Sequence, residues 1–443
     1  MGNNPLRCLK STISCSAGQD LIPVCDRRGL STPAFLISNR RFLAYFTGSN
    51  MQPGSRKPLM RSAFSDPIVR IEKVVLHGTR PRNIGSNARI GVHGPAVTDP
   101  VVRIGTAGGA VGIGWSTLDR ARAEALLGMR PLELFQFPVG STGDGAAIDL
   151  PLWDLAARCE GVPLYRLLGA RGSREVELYD GSVYIDDLGA TDDQARRIFR
   201  EEVRTGHDYG YRNFKIKIGR GARWMPVREG TDRDVLVIHS VREAAGPDAK
   251  ILIDANNGTT LNIALDILER CRDAGVYWFE EPFPEDRAFN EAFKEAIDRK
   301  GYNTLVADGE SGPPPPDFFD MVESGWIDIV QHDFRYKGLT WWKAAADRIE
   351  PWGAKCAPHC WGSVVERFAH AHFAASISNY SLLEAAPADM PGIALDGWQM
   401  RNGRLIVPET PGAGFDVEPD ALERGVKSEG GFRVSIDDRQ RSR

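Results

Sequence analysis

Residues 250–282 read KILIDANNGTTLNIALDILERCRDAGVYWFEEP, and this stretch shows the unit from which the fold is built. Two apolar runs predict buried strands, and residues 259–274 between them have the spacing of an amphipathic helix. Each run ends in a carboxylate, Asp254 in the first and Glu280 in the second. A strand, a helix and a strand in this order predict a parallel β-α-β unit.

The same unit repeats along residues 175–385. Short apolar runs predict eight strands, at Val176–Val183, Tyr211–Ile218, Lys250–Asp254, Val276–Glu280, Asn303–Ala307, Ile327–Gln331, Ala354–Ala357 and Tyr380–Leu383. Helical periodicity predicts seven intervening helices, at about residues 190–209, 229–245, 259–274, 286–299, 315–324, 339–350 and 363–377. This alternation predicts an α/β fold, a parallel barrel of the TIM type. Chemistry in such a barrel belongs to the carboxyl ends of its strands, so polar residues that end the apolar runs are candidates for function.

A smaller α+β unit is predicted ahead of the barrel, over residues 66–174. Its strands are predicted at Ile68–Leu76, Val101–Ile104 and Ala110–Ile113, and its helices at Thr117–Leu127 and Gly145–Cys159. The first of these strands alternates apolar and charged residues, which is typical of a strand with one buried face.

The two ends of the chain are predicted to take no part in the chemistry. Residues 1–60 are basic, poor in acidic residues and without helical or strand periodicity. We predict a disordered extension over residues 1–65, with a targeting peptide, or an upstream start codon and Met60 as the natural beginning, as alternatives. Residues 426–443 are predicted to form a polar tail.

Composition excludes several classes of function. The 443 residues are 42% hydrophobic and 26% charged, which indicates a folded globular protein. A net charge of −4 leaves no overall field to hold nucleic acid, and no apolar stretch is long enough to cross a membrane. Seven irregularly spaced cysteines indicate a reducing compartment, so we expect a cytoplasmic protein.

Zinc is not predicted, although Cys356, His359 and Cys360 lie close together in the sequence. Zinc sites usually pair such a group with a second one elsewhere, and the sequence shows no second group. His370 and His372 fall within a predicted helix and are interpreted as packing or surface residues.

Charged residues end or occupy the predicted strands. Asp254, Glu280 and Glu310 come at or just after the ends of three successive strands, where they would repel one another unless a cation lay among them. Oxygen ligands favour a hard ion such as Mg²⁺, whereas each acid taken singly is more often a helix N-cap or a loop residue. Lys215 and Lys217 project from the second strand to one face, and solvated surface lysines are the alternative interpretation.

The last three strands add a candidate acid/base and a further carboxylate. Asp333 and His359 follow neighbouring strands, and a hydrogen bond between them would fix the imidazole tautomer and raise its basicity. Glu384 ends the eighth strand. His332, next to the pair, is a weaker candidate for substrate contact.

These residues together resemble the enolase superfamily, in its mandelate racemase subgroup. Two further segments carry the resemblance, AIDLPLWDLA at residues 147–156 and PLYRLLG at residues 163–169. The resemblance implies an α+β capping domain, residues 66–174 completed by about residues 386–425, on a (β/α)7β barrel of residues 175–385.

The resemblance also implies a metal site and a base. The residues that match the three ligands of one Mg²⁺ per subunit are Asp254, Glu280 and Glu310. Glu281 is then not a ligand. Lys217 matches the base that removes the proton α to a carboxylate, and Lys215 and the Mg²⁺ are expected to lower the pKa of Lys217 by like-charge repulsion.

The remaining roles fall on the opposite side of the site. His359, oriented by Asp333, matches an acid/base on the face opposite the lysine. Glu384 matches a residue that hydrogen-bonds the substrate carboxylate, and Asn256 stands where a polar residue contacts substrate.

The function implied is Mg²⁺-dependent removal of the α-proton of a carboxylate, giving an enediolate. Polar neighbours suit a hydroxylated substrate, so we predict dehydration of an acid sugar to a 2-keto-3-deoxy acid; these neighbours are His332, Arg335, Lys337 and Trp361. The alternatives are a racemase or epimerase using the same residues, and a non-catalytic carboxylate-binding barrel.

Specificity and assembly are predicted from the family pattern. The cap loop Thr79–Pro100 is expected to cover the strand ends, with Arg82, Asn83 and His93 within reach of substrate. The expected partners are a small carboxylate substrate and other copies of the chain in a homo-oligomer, with neither nucleic acid nor membrane.

Overall fold

The structure is a computed structural model that describes residues 64–437, so the predicted extension lies almost wholly outside the described residues. The N-terminal strands are β1 (Ile68–Thr79), β2 (Ala96–Thr106), β3 (Val111–Trp115), β4 (Phe135–Gln136) and β5 (Gly140–Ser141). The helices of this part are α1 (Arg120–Leu126), α2 (Pro131–Leu134), α3 (Asp149–Glu160) and α4 (Leu164–Leu167). Strands β1 to β3 form an antiparallel sheet. Helix α3 packs directly on β3 at Gly112, where an added Cβ would lie 2.1 Å from the carbonyl oxygen of Pro151.

Eight parallel strands follow, separated by helices. The strands are β6 (Glu175–Val183), β7 (Phe214–Lys217), β8 (Ile251–Asp254), β9 (Val276–Glu280), β10 (Leu305–Asp308), β11 (Ile329–Val330), β12 (Lys355–Cys356) and β13 (Leu383–Ala385). The helices are α5 (Asp192–Asp208), α6 (Val227–Ala245), α7 (Leu261–Arg270), α8 (Arg287–Lys300), α9 (Phe318–Glu323), α10 (Phe334–Ile349) and α11 (Glu366–Ser376). Short 3₁₀ helices lie at Gly143–Ile148, Arg220–Ala222, Arg272–Ala274 and Glu350–Trp352. Among residues 64–437, no helix combines the length and the apolar character that a membrane crossing requires.

The parallel sheet closes on itself. Strands β6 to β12 pair in chain order, and β13 pairs with β6 in the register Leu383 to Leu178. The last junction is made by a parallel bridge between Cys356 and Tyr380, with the Ser381 N–H donating to the carbonyl of Cys356. The predicted (β/α)7β barrel is therefore confirmed, and the carboxyl ends of all eight strands meet at one rim.

The predicted helix at 339–350 begins earlier in the structure, at Phe334. Its first turn is set off by a kink at Gly338, whose φ of 77° lies in the left-handed region that favours glycine. The close approach of Asp149 at this point leaves no room for a side chain, since a Cβ would lie 2.8 Å from its Oδ2. The kink breaks the helical period, which is why the sequence pattern reveals only the second part of α10.

The C-terminal residues return to both parts of the molecule. They form β14 (Ile393–Leu395), β15 (Gln399–Arg401), β16 (Arg404–Ile406), β17 (Phe415–Val417), α12 (Pro419–Gly425) and β18 (Phe432–Ser435). Strand β16 pairs with β6 of the barrel, and β18 pairs with β1 of the N-terminal sheet.

The predicted polar tail at 426–443 is therefore wrong for residues 432–435. They alternate buried and half-buried side chains and extend the N-terminal sheet as a fourth strand. Two domains, a cap and a barrel, remain our proposal for the organisation, with the cap extended at least to residue 435.

His372 is a buried histidine that the fold holds in its neutral form. It lies on α11 with no exposed surface, and its Nδ1 accepts a hydrogen bond of 3.1 Å from the Tyr165 N–H. Burial lowers the pKa of His372 to about 3. Because the unfolded chain binds a proton near pH 6.5, this side chain stabilises the fold fully above that pH and progressively less as the pH falls toward 3.

We expect the His372→Asn variant to lose part of the pH dependence of stability. At pH 5, about 1.5 units below the unfolded pKa, His372 should remove about 2 kcal/mol from the free energy of unfolding. Asparagine offers an acceptor to the same N–H but does not titrate. Urea unfolding at pH 7 and pH 5 measures the difference, with His239→Asn on α6 as the control. An unchanged pH dependence in His372→Asn would show that another group is responsible.

Candidate active site

Strands β7, β8 and β9 place three charged side chains side by side. Lys217 pairs in register with Asp254, and Asp254 pairs with Glu280. Residues in register on parallel strands point to the same side of the sheet, and Lys215 joins them because side chains alternate at period two. All four side chains are buried at the carboxyl rim of the barrel.

Three carboxylates meet at this rim, as the sequence predicts. One oxygen from each of Asp254, Glu280 and Glu310 lies within 4.8 Å of the others. Oε2 of Glu310 and Oδ1 of Asn256 are buried and make no hydrogen bond to any described residue. Buried carboxylates with unused oxygens are costly unless a cation satisfies them, and an all-oxygen donor set fits Mg²⁺. The residues therefore fit the predicted ion.

The two lysines lie against these carboxylates. Nζ of Lys215 is 2.6 Å from Oε1 of Glu280, and Nζ of Lys217 contacts Oδ2 of Asp254. Burial is the largest influence and lowers the pKa of Lys217, but the attractions of Asp254, Tyr184 and Glu310 together outweigh it and hold the pKa above its ordinary value. The predicted repulsion from Lys215 is present and smaller than the attraction of Asp254. The expectation of a lowered pKa is thus not met in the protein alone.

His359 and Asp333 form the predicted pair. Nδ1 of His359 lies 2.9 Å from Oδ2 of Asp333, and Arg335 donates to the same carboxylate at 2.6 Å. The other ring nitrogen, Nε2, lies 3.4 Å from Oε2 of Glu310. Burial lowers the pKa of His359, but the carboxylates of Glu310, Glu384 and Asp333 outweigh it and raise the pKa to about 9. A protonated imidazole therefore contacts the carboxylate of Glu310, whereas Lys217 contacts that of Asp254.

Glu384 and Asn256 lie in the same site with their polar atoms largely engaged. Glu384 accepts from the N–H of Cys360 at 2.8 Å and lies 2.9 Å from Nζ of Lys215. The amide nitrogen of Asn256 donates to Glu281 at 3.2 Å and to Glu310 at 3.1 Å. Asn256 thus positions carboxylates in this structure, and a contact with substrate would fall to its Oδ1.

A second group of acids adjoins the first. Glu281 does not lie in the first trio; its carboxylate groups with those of Glu285 and Asp308. The carboxylate of Glu281 also accepts hydrogen bonds from the side-chain amides of Asn256 and Asn257. Asp308 is the last residue of β10, and nothing in the spacing of the sequence predicts this second group.

Two weaker candidates for substrate contact are placed elsewhere. His332 is 1% exposed, with Nδ1 2.6 Å from the carbonyl of Gly309 and its ring packed 4.7 Å from that of Phe318. Arg82 is paired with Asp186 and Glu202, each at 3.1 Å. Both side chains have structural partners that account for their positions.

Residues from the cap and the barrel make a wall beside Lys217. The Tyr184 ring lies 5.4 Å from Nζ of Lys217 and stacks on Trp361 at 4.6 Å. Arg80 covers the Trp361 ring at 4.6 Å, and His93 meets the Tyr184 ring edge at 4.8 Å. His93 and Trp361 are both predicted from the sequence to lie near the substrate. Tyr184 directly follows β6, so the strand-end rule could have found it.

Comparisons with known proteins agree with this architecture. A family model described as enolase C-terminal domain-like matches residues 198–421. The crystal structure of galacturonate dehydratase from Geobacillus sp., complexed with D-galacturonate and 5-keto-4-deoxy-D-galacturonate, has a TM-score of 0.79 and 34% identity. That similarity covers 84% of this chain and 100% of the Geobacillus chain.

Two further relatives show the range of the similarity. A mandelate racemase/muconate lactonizing protein from Geobacillus sp. Y412MC10, complexed with magnesium and tartrate, has a TM-score of 0.79 and 34% identity, covering 84% of this chain and 98% of that one. D-galactarolactone cycloisomerase of Agrobacterium fabrum is 28% identical over 290 residues, or 62% of this chain and 72% of the relative. The chain belongs to the enolase superfamily, in the group related to mandelate racemase and muconate lactonizing enzyme.

Proposed function

We propose that the chain binds one Mg²⁺ per subunit and dehydrates an acid sugar. The observation that carries the proposal is a carboxylate trio at the barrel rim that Lys217 contacts at Asp254 and His359 contacts at Glu310. Removing an α-proton and expelling a β-hydroxyl needs one proton acceptor and one proton donor, and the site supplies both.

The proposed ligands are Asp254, Glu280 and Glu310. When bound, a divalent cation supplies positive charge that stabilises the second negative charge developing on a substrate carboxylate. Lys215 adds a fixed positive charge in the same place, because it is fully buried and held by Glu280 and Glu384. Glu310 has fewer hydrogen-bond partners among the described residues than the other two acids, and its Oε2 makes no hydrogen bond but lies 3.4 Å from Nε2 of His359.

Lys217 and His359 divide the proton transfers. Lys217 must be neutral to take the proton from the α-carbon, and a cation held by Asp254 would favour this by offsetting the carboxylate charge that raises the pKa of the lysine. The electron pair of the broken carbon–hydrogen bond passes to the substrate carboxylate to give the enediolate. His359 then donates its proton to the β-hydroxyl as the carbon–oxygen bond breaks, so water leaves. The resulting enol becomes a ketone by taking a proton at the β-carbon and losing the proton of its hydroxyl group. Asp333 keeps His359 oriented and charged through the 2.9 Å contact at Nδ1.

An acid sugar is the substrate class that the relatives support. D-galacturonate and its 5-keto-4-deoxy derivative, both bound to the Geobacillus dehydratase, differ by the loss of water across the carbons α and β to the carboxylate. The same step on an aldonate or aldarate gives the 2-keto-3-deoxy acid that the sequence predicts. Uronates therefore join aldonates and aldarates as candidates.

A racemase or epimerase is the second candidate. Two proton carriers on opposite sides of the trio allow a proton to leave one face and return to the other. One relative, D-galactarolactone cycloisomerase, is named as an isomerase, which also supports this candidate. Assembly into a homo-oligomer stays a prediction, which light scattering on the purified chain can measure.

The proposal is tested by incubating the full chain with Mg²⁺ and a panel of uronates, aldonates and aldarates in D₂O. Keto-acid product from at least one compound supports dehydration. Deuterium at the α-carbon without keto product favours the racemase or epimerase. Neither signal from any compound favours a carboxylate-binding barrel and contradicts the proposal.

The variant His359→Asn is expected to separate the two proton transfers. It removes the proposed acid and leaves Lys217 in place, so α-deuterium exchange should persist while keto-acid formation falls ~10²-fold or more. Mass spectrometry of recovered substrate and a colorimetric keto-acid assay give the two rates. His332→Asn, at the neighbouring packed histidine, serves as the matched control. Equal loss of both rates in His359→Asn would mean that His359, not Lys217, starts the reaction.

A further inference from the structure

Behind the His359–Asp333 pair, three buried side chains of other types converge. Cys360 follows His359, while Glu366 and His370 lie four residues apart on α11 and therefore share a face of the helix. One ligand atom from each lies within 4.8 Å of the others. Cys360 is 2% exposed, and the other two have no exposed surface.

Polar atoms in this cluster lack partners. Neither ring nitrogen of His370 makes a hydrogen bond to any described residue, and Oε1 of Glu366 makes none either. The Phe334 ring packs against the His370 ring, with 4.2 Å between the ring centroids. By contrast, Nδ1 of His372, two residues further along the helix, accepts a hydrogen bond from the Tyr165 N–H. Buried polar groups without partners are rare in folded proteins, and a bound ligand is one reason for them.

The spacing and chemistry of the three side chains match a metal. Nε2 of His370 lies 3.8 Å from Oε1 of Glu366, and Sγ of Cys360 lies 3.9 Å from Oε2 of the same carboxylate. Zinc–ligand bonds of ~2.0–2.3 Å in tetrahedral geometry place ligand atoms about 3.3–3.8 Å apart. A thiolate, an imidazole and a carboxylate form a mixed set that suits Zn²⁺, whereas Mg²⁺ takes oxygen ligands.

The charges around the cluster also allow a divalent cation. A thiolate at Cys360 and a carboxylate at Glu366 would together balance two positive charges. The guanidinium of Arg335 lies close to the cluster, with Nε 3.8 Å from Oε2 of Glu366. This guanidinium makes its hydrogen bonds to Asp333, at 2.6 and 3.2 Å, so its charge is already compensated.

We propose that Cys360, Glu366 and His370 bind one Zn²⁺, separate from the carboxylate site at the rim. The ion ties the residue next to His359 to the first turns of α11 and so holds the loop that carries the proposed acid. The sequence motif of Cys356, His359 and Cys360 contributes only Cys360. His359 is taken by Asp333, and Cys356 lies in strand β12.

The test uses the full chain loaded with Co²⁺ in the presence of excess Mg²⁺, which occupies the oxygen-only site. A cobalt–thiolate bond gives a near-ultraviolet charge-transfer band that oxygen ligands do not give. We expect this band in the wild-type chain and one tightly retained Zn²⁺ or Co²⁺ per chain by elemental analysis. No band, or a metal retained without the band, would overturn the proposal.

Matched variants assign the band to the cluster. Cys360→Ala should abolish it, while Cys356→Ala, at another fully buried cysteine, should retain it. His370→Asn should weaken metal retention at least ~10-fold, while His372→Asn should not. If the band survives Cys360→Ala, the thiolate comes from another cysteine, and Cys8, Cys15 and Cys25 outside the described residues are among those that could supply it. That result would contradict the proposed site. The readouts do not require activity, so they stand apart from the dehydratase proposal.

Discussion

Replacing Lys217 by methionine is expected to abolish α-proton exchange and dehydration together, with a loss of ~10²–10⁴-fold in kcat or more. Methionine keeps most of the side-chain volume but cannot accept a proton. Because Lys217 is the proposed acceptor in the first step, neither product nor deuterated substrate should form. Exchange in D₂O and keto-acid release, measured on the same samples, check the prediction.

The control for this variant is Lys250→Met. Lys250 precedes β8 and pairs with Glu177 at 2.6 Å, away from the carboxylate trio. Its replacement should leave both rates close to wild type. Lys217→Arg adds a second comparison, since arginine keeps the charge but stays protonated. Appreciable exchange in Lys217→Met would remove Lys217 from the proposed mechanism.

The second large effect is expected from Glu310→Gln, which should weaken Mg²⁺ binding and activity together. Glu310 is the simplest of the three proposed ligands to change, because Oε1 accepts from Asn256 and Oε2 makes no hydrogen bond to a described residue. Loss of a direct ligand should cost at least the ~10–100-fold in metal affinity that outer partners typically contribute. Isothermal titration with Mg²⁺ measures the affinity, and added Mg²⁺ should restore part of the activity.

Glu281→Gln is the matched control for the ligand variant. Glu281 directly follows a proposed ligand, but its carboxylate belongs to the group with Glu285 and Asp308. The change should leave Mg²⁺ affinity within a few-fold of wild type. A larger loss in Glu281→Gln than in Glu310→Gln would mean that the ligand set has been assigned to the wrong acids.

Much of the barrel could be predicted because its signals are local. Each strand is a short apolar run, and Val276–Glu280 was predicted with the bounds that the structure shows. The strand-end rule then collected Asp254, Glu280 and Glu310 at one rim without any knowledge of distances. The register between the parallel strands β7 and β8 then places Lys217 beside Asp254.

What the sequence did not reveal depends on contacts between distant residues. Strand β18 is four residues long, and its partner β1 begins more than 350 residues earlier, so no local pattern marks it. The pKa of Lys217 was expected to be lowered by Lys215 and Mg²⁺, whereas in the protein alone Asp254 across the strand pair is the strongest of the influences that raise it.

The metal candidates illustrate the same limit. Cys360 was first grouped with residues close in sequence, but folding brings it to Glu366 and His370 on α11. His370 was interpreted as a packing or surface residue, because helical periodicity does not show which buried polar atoms have hydrogen-bond partners. Only the described structure shows that both of its ring nitrogens are unpaired.

The most direct test of the account is the position of a divalent ion in crystals of the full chain soaked with Mn²⁺, located by anomalous scattering. The account predicts a peak at the barrel rim with one oxygen each from Asp254, Glu280 and Glu310 at ~2.0–2.3 Å. Lys217 and His359 should face that ion from opposite sides. No peak among these oxygens, or a rim ion held by other residues, would contradict the central claim.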